Sequence, residues 1–164
     1  MIKDILKRKE ETFELTWHDS IDFSRIKPIT QVCGICFNNK GEILIINTTG
    51  KWHIPGGKPE KGESFEETLK REMDEEADVK LKDIEPLGYQ KIENIDTKKT
   101  IYQLRFVAII SKIKPQTIDP AEGKIPERKF INPSAFLKYC PWGNTGKAMI
   151  EKAVFLYKKE RVKI

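Results

Sequence analysis

The sequence predicts an α/β (α+β) fold in which a mixed β-sheet is flanked by helices, an α/β/α sandwich. Three observations predict it. Stretches of β-forming residues interleave with helical patterns along the chain. A length of 164 residues allows one domain with a sizeable core but not two ordinary ones. A hydrophobic fraction of 38% beside a charged fraction of 34% suits a globular chain with a polar surface and excludes a disordered one.

Each element has its own signature. Residues 1–27 read as a short basic helix followed by a strand over 12–17, and Pro28 closes them; this segment, 1–28, is expected as an N-terminal extension to a domain over 29–164. Residues 30–37, TQVCGICF, are rich in β-formers, and a turn at 38–41 returns the chain as a second strand over 42–47. A turn at 48–50 leads to a short extended piece at 52–54, and Pro55-Gly56-Gly57 breaks the chain into a loop through Gly62. Ser64, with Glu67 three residues on, has the spacing of a capping box and opens a helix to Ala77. Residues 79–93 and 100–111 read as long strands, 115–126 as a polar loop, and 128–131 as a short strand. Pro133 opens a short helix, and 147–159 form a final amphipathic one.

Composition narrows the function classes. No stretch approaches the roughly 18 apolar residues of a membrane helix, so no membrane partner is expected. The N-terminus, MIKDILKRKEETFE, lacks the apolar core of a signal peptide, and the expected location is cytoplasmic. The net charge is +5, gathered at the two ends (Lys3, Lys7, Arg8, Lys9; Lys158, Lys159, Arg161, Lys163), which favours anionic partners such as nucleotides and leaves nucleic acid as a weaker option. Cys33 and Cys36 form a C-x-x-C, but residues three apart on a strand face opposite sides, and Cys140 has no such partner. All three cysteines are expected to be structural.

The helix over 65–77 is hard to explain as plain structure. On a helical wheel Phe65, Leu69, Met73 and Ala77 form one apolar stripe. Glu76 falls inside it, Glu72 lies beside Phe65, and Glu75 comes next along that edge. Like charges at i, i+3 and i+4 repel, and partial burial multiplies the cost. Arg71 alone cannot neutralise three carboxylates. A hard divalent cation such as Mg²⁺ or Mn²⁺ can.

These residues resemble the Nudix box, G-x5-E-x7-R-E-U-x-E-E-x-G-U with U a bulky aliphatic residue. Gly57, Glu63, Arg71, Glu72, Met73, Glu75, Glu76 and Val79 stand at its positions, Met73 loosely, and Asp78 replaces the second glycine. The chain is similar to Nudix hydrolases over about residues 30–136, and Trp52-His53-Ile54-Pro55-Gly56 leads into the box as in that family.

The resemblance implies a Nudix-type α/β/α sandwich and hydrolysis of a nucleoside diphosphate linked to a group X. It implies metal ligation by Glu72, Glu75, Glu76 and the carbonyl of Gly56, and support from Gly57 and a Glu63–Arg71 ion pair. Glu122, with Glu127 as runner-up, is similar in position to a loop glutamate that joins the site, and Glu72 or Glu122 is the candidate base. Asp at 78 tolerates the left-handed conformation expected of the family glycine.

The substrate is expected to be a nucleoside triphosphate or related nucleotide, in a housekeeping or oxidised-nucleotide sanitising role. The downstream signatures of ADP-ribose and diadenosine polyphosphate cleavers are absent. Trp52 and Asn144 are candidates for base recognition, although Asn144 also suits the N-cap of the last helix. A non-catalytic nucleotide- or RNA-binding module and an RNA cap hydrolase are the alternatives, and a homodimer is compatible with all of these.

Overall fold

The strand β3 (Ile29–Phe37) sorts its side chains by parity, and the fold is arranged around that sorting. Val32 and Cys36 enter one core cluster with Leu69, Met73 and Ala77, while Cys33, Ile35 and Phe37 enter a second with Met149, Ile150 and Ala153. The sheet therefore carries a helix on each face. The computed structural model describes residues 1–162, so Lys163 of the basic end lies outside them.

Around β3 lie β1 (Ile2–Arg8), β2 (Glu11–His18), β4 (Ile43–Asn47), β5 (Trp52–His53), β6 (Gly56–Gly57), β7 (Val79–Asn94), β8 (Thr100–Ile113) and β9 (Glu127–Ile131). The helices are α1 (Phe65–Ala77), α2 (Phe136–Tyr139) and α3 (Gly143–Val162), with one 3₁₀ turn at Pro133–Ala135. Among the described residues the sheet runs β1-β2-β7-β8-β3-β4-β5, with β6 beside β3 and β9 beside β4. Its β3–β8 pair is parallel and the others are antiparallel, which makes the mixed sheet expected from the sequence. No helix among the described residues is long and apolar enough to cross a membrane.

Two expectations are corrected. Residues 2–8 form a strand, not a helix. β1 pairs with β2 from Ile2 opposite Trp17 to Arg8 opposite Glu11, through a turn in which Lys9 takes φ 54°. The segment IKDILKR satisfies both periods; the ladder wins because Asp4 and Leu6 find Leu15 and Phe13 across it, whereas a short isolated helix is marginal in water. The last helix also begins earlier than the pattern suggested, at Gly143. Its N-terminal donors are taken by a remote carboxylate: Asp4 accepts from the Asn144 N–H at 3.0 Å, the Thr145 N–H at 2.7 Å and the Asn144 side-chain amide at 3.2 Å.

The position of α1 over β3 depends on the absence of a side chain at Gly34. A Cβ there would lie 2.9 Å from Leu69 Cδ1 and 3.1 Å from Met73 Cε. Gly34→Val is expected to cost about 1–3 kcal/mol through overpacking, read as a lower denaturant midpoint with unchanged slope.

Candidate functional site

The local sequence around α1 builds the site in steps. Ser64 Oγ accepts from the Glu67 N–H at 3.1 Å, and the Glu67 carboxylate accepts from the Ser64 N–H at 3.3 Å, so the capping box is complete. One turn on, the Arg71 guanidinium donates five hydrogen bonds. Two go to the Glu63 carboxylate, at 2.8 and 3.0 Å, and others to Glu72 at 2.8 Å, Glu75 at 3.4 Å and the Lys58 carbonyl at 3.2 Å. The Arg71 pairing, aided by the Glu60 N–H, holds the Glu63 carboxyl down to about 2.

Glu72, Glu75 and Glu76 open onto a cavity of about 370 Å³ together with Asp119 and Glu122. Gly57 stands against its inner wall: a Cβ there would lie 2.2 Å from Glu72 Oε1, so any other residue would push the Glu72 carboxylate out of its place. The Gly56 N–H donates to Glu76 Oε2 at 3.1 Å, which ties the β6 backbone to the helix. Burial pushes Glu76 up to about 8, and the neighbouring Glu72, Asp119 and Glu122 add to the shift. Glu72 is raised by burial too, but Arg71 offsets part of that. Among the described residues no three His, Cys, Asp or Glu side chains already converge closely enough to enclose an ion. The carboxylates engage Arg71 and the Gly56 N–H instead, as mutually repelling groups will. Hard oxygen donors in excess of cations are nevertheless the donor set that suits Mg²⁺ or Mn²⁺.

Asp119 was not singled out in the sequence. It is 2% exposed, and no local pattern distinguishes it from other loop acids. Asp78 holds its loop in place. It closes α1 in the left-handed conformation, φ 53° and ψ 45°, as expected of the residue at the family glycine. Its carboxylate accepts from the Thr117 N–H at 2.7 Å and the Thr117 hydroxyl at 2.8 Å. Arg128 adds a second clasp by donating to the Ala77 carbonyl at 2.9 Å and the Lys114 carbonyl at 3.0 Å.

The remaining residues fall elsewhere. Glu127 opens β9 opposite Asn47. Trp52 stands edge-on to Tyr139 with the Lys129 ammonium over its ring, and Asn144 is held by Asp4. A second cavity, of about 530 Å³, is lined instead by Trp142, His53, Gln31, Gln103 and Arg105. Its lining residues His53 and Ile54 shortly precede Gly56 in the chain, with Pro55 between. The cysteines are buried and free, and burial pushes the Cys33 thiol up to about 11, so neither a disulfide nor a reactive thiolate is present among the described residues.

Two outcomes follow. An acid whose folded pKa exceeds its unfolded value binds a proton in the fold across the interval between them, so stability falls as pH rises through it. For Glu76 the interval runs from 4.5 to about 8. Protein held in excess chelator is expected to melt at progressively lower temperature across that range. Glu76→Gln is expected to flatten the slope, with Glu72, also raised by burial, retaining part of it. Below 4.5, Glu63, held down to about 2, acts in the opposite sense, and stability is lost as pH falls. Separately, Thr117→Val is expected to cost about 1 kcal/mol and to speed proteolytic cleavage within residues 115–126 while α1 stays protected in hydrogen exchange.

Comparison with known proteins agrees with this geometry. The NUDIX domain family model matches residues 27–151. The fold is similar to the Bacillus subtilis pyrophosphohydrolase BsRppH, at 26% identity and TM-score 0.59 over 77% of each chain. It is similar to the NUDIX domain of Shewanella oneidensis NrtR, solved with ADP ribose, at 22% identity and TM-score 0.60 over 86% of this chain and 93% of that one. It is also similar to a NUDIX hydrolase from Nitrosomonas europaea, at 17% identity and TM-score 0.59 over 77% of this chain and 88% of that one. With the box residues gathered on α1 and the loop before it, the chain belongs to the NUDIX domain family, the family of the Nudix pyrophosphohydrolases.

Proposed function

We propose that the protein is a Mg²⁺- or Mn²⁺-dependent hydrolase that cleaves the pyrophosphate bond of a nucleoside diphosphate linked to X. The observation that supports this most is the single cavity shared by Glu72, Glu75, Glu76, Asp119 and Glu122, in which burial and mutual repulsion hold Glu76 near 8. A plain structural helix has no use for such a cost. Glu72, Glu75, Glu76 and the Gly56 carbonyl are the groups that would hold the ion. When bound, the ion supplies charge neutralisation for the phosphates and a lowered pKa for the attacking water.

The chain's own residues do the rest. Arg71 fixes Glu72 and Glu75 on one side, and Glu63 anchors Arg71 to the loop that presents Gly56 and Gly57. Lys58, at the rim of the cavity, offers a cation to the phosphate chain. Water adds to one phosphorus, the bridging P–O bond breaks, and a carboxylate, Glu122 or Glu72, accepts the proton. The products are a nucleoside monophosphate and either pyrophosphate or phosphorylated X. The cavity of about 530 Å³ beyond His53 and Ile54 has the size of a small-molecule subsite and is the room for the nucleoside.

The test is release of phosphate or pyrophosphate with Mg²⁺ from ordinary and oxidised nucleoside triphosphates, nucleotide sugars, ADP-ribose and capped RNA. Turnover of at least one is expected, abolished by chelation and lowered about 100-fold or more in Glu75→Gln and Glu76→Gln. Absence of turnover across the panel, with all three proteins binding nucleotide equally, would replace the hydrolase by a binding module.

A further inference from the structure

The two arginines near the site are in opposite states. Every N–H of Arg71 is engaged, and four of its five bonds go to carboxylates. Arg105 on β8 is 2% exposed and makes three: to the Leu104 carbonyl at 3.3 Å, Gln90 Oε1 at 3.3 Å and Gln103 Oε1 at 2.8 Å. A guanidinium has five donors, so two are unused, and its Nε is the one buried side-chain polar atom without a partner among the described residues. No carboxylate pairs with it among those residues, and burial pulls its pKa down. A buried, uncompensated cation is among the costlier features a fold can retain.

The surroundings of Arg105 describe what would repay that cost. It lines the cavity of about 530 Å³, with the Trp142 ring 5.8 Å from its Cζ. Much of the remaining lining is apolar, with Ile5 on β1, Leu15 on β2, Ile92 on β7 and Ile101 on β8, although Asp4 and Arg8 of β1 also reach it. A flat, largely apolar group suits this space better than a free phosphate, which would lose its hydration against those walls. Asp4 is taken by the start of α3, and the polar groups around Arg105 are biased toward donors. Gln90 and Gln103 turn their oxygens to Arg105, and the Gln90 amide nitrogen is engaged by Thr145 at 3.1 Å. What Gln103 and Arg105 have left to offer a ligand is N–H.

We infer that Arg105 is a specificity-determining residue, and that it selects a purine with an acceptor edge, the O6 and N7 of guanine, over adenine, whose 6-amino group would meet donor with donor. This inference rests on the proposed hydrolase reading for the identity of the cavity as the nucleoside subsite. Its test is separate from hydrolysis: binding of GMP, IMP and AMP without metal, by calorimetry, to wild type and Arg105→Met. Wild type is expected to bind GMP about tenfold or more tightly than AMP, and IMP, which shares O6 and N7, to follow GMP.

In Arg105→Met the ratio collapses through loss of GMP and IMP affinity, and AMP affinity is unchanged. A merely structural arginine would weaken all three ligands alike. That result would overturn the inference. So would equal binding of GMP and AMP by wild type, or no binding of any of them. Because the readout is a base ratio in the absence of turnover, an inactive protein that still discriminates would sink the hydrolase and leave Arg105 its role.

Discussion

The site depends on one guanidinium. Arg71 binds Glu63 through two parallel bonds and reaches Glu72, Glu75 and the Lys58 carbonyl with the rest. The loop before α1 and the acidic face of α1 are thereby tied together. A lysine has a point charge and no fork, so it could hold one of these partners but not their mutual geometry. Removing the guanidinium would leave Glu72, buried and facing Glu75, without a counter-charge beside the Gly57 backbone.

What was legible in the sequence was whatever is decided within a few residues. The capping box at Ser64 and Glu67, the apolar stripe of α1 and the odd placement of Glu72 and Glu76 on it are local facts of a period of 3.6. The opposite facing of Cys33 and Cys36 is a local fact of a period of two, and the two core clusters divide them accordingly. The Nudix box condensed the same information, and the fold followed from it.

What was not legible is decided by partners distant in the chain. Residues 2–8 satisfy either period, and only β2 makes them a strand. Asn144 looks like a cap in isolation, but the capping oxygen belongs to Asp4. Asp119 becomes a site residue because Asp78 grips Thr117, 39 positions away. Asp78 itself reads as a flaw in a motif. It keeps the left-handed turn that glycine would make and adds a carboxylate that glycine lacks. Arg105 sits in the apolar run YQLRFVAII, where nothing nearby marks it as different from an ordinary edge charge.

The bond between Asp4 and the start of α3 joins groups 140 positions apart. During synthesis at roughly 5–20 residues per second, on the order of ten seconds separate the emergence of one partner from that of the other. Through that interval Ile5 and Leu6 of β1 have no Trp142 and Gly143 facing them across the cavity. The last carboxylate of the acidic cavity, Glu122, precedes Trp142 and Gly143 by only about 20 residues, roughly 1–4 s of synthesis, so the cavity and the neighbouring chamber gain their last residues close together. The longest wait falls to the hairpin at the other end: β1 and β2 stand through nearly the whole chain before the start of α3 emerges.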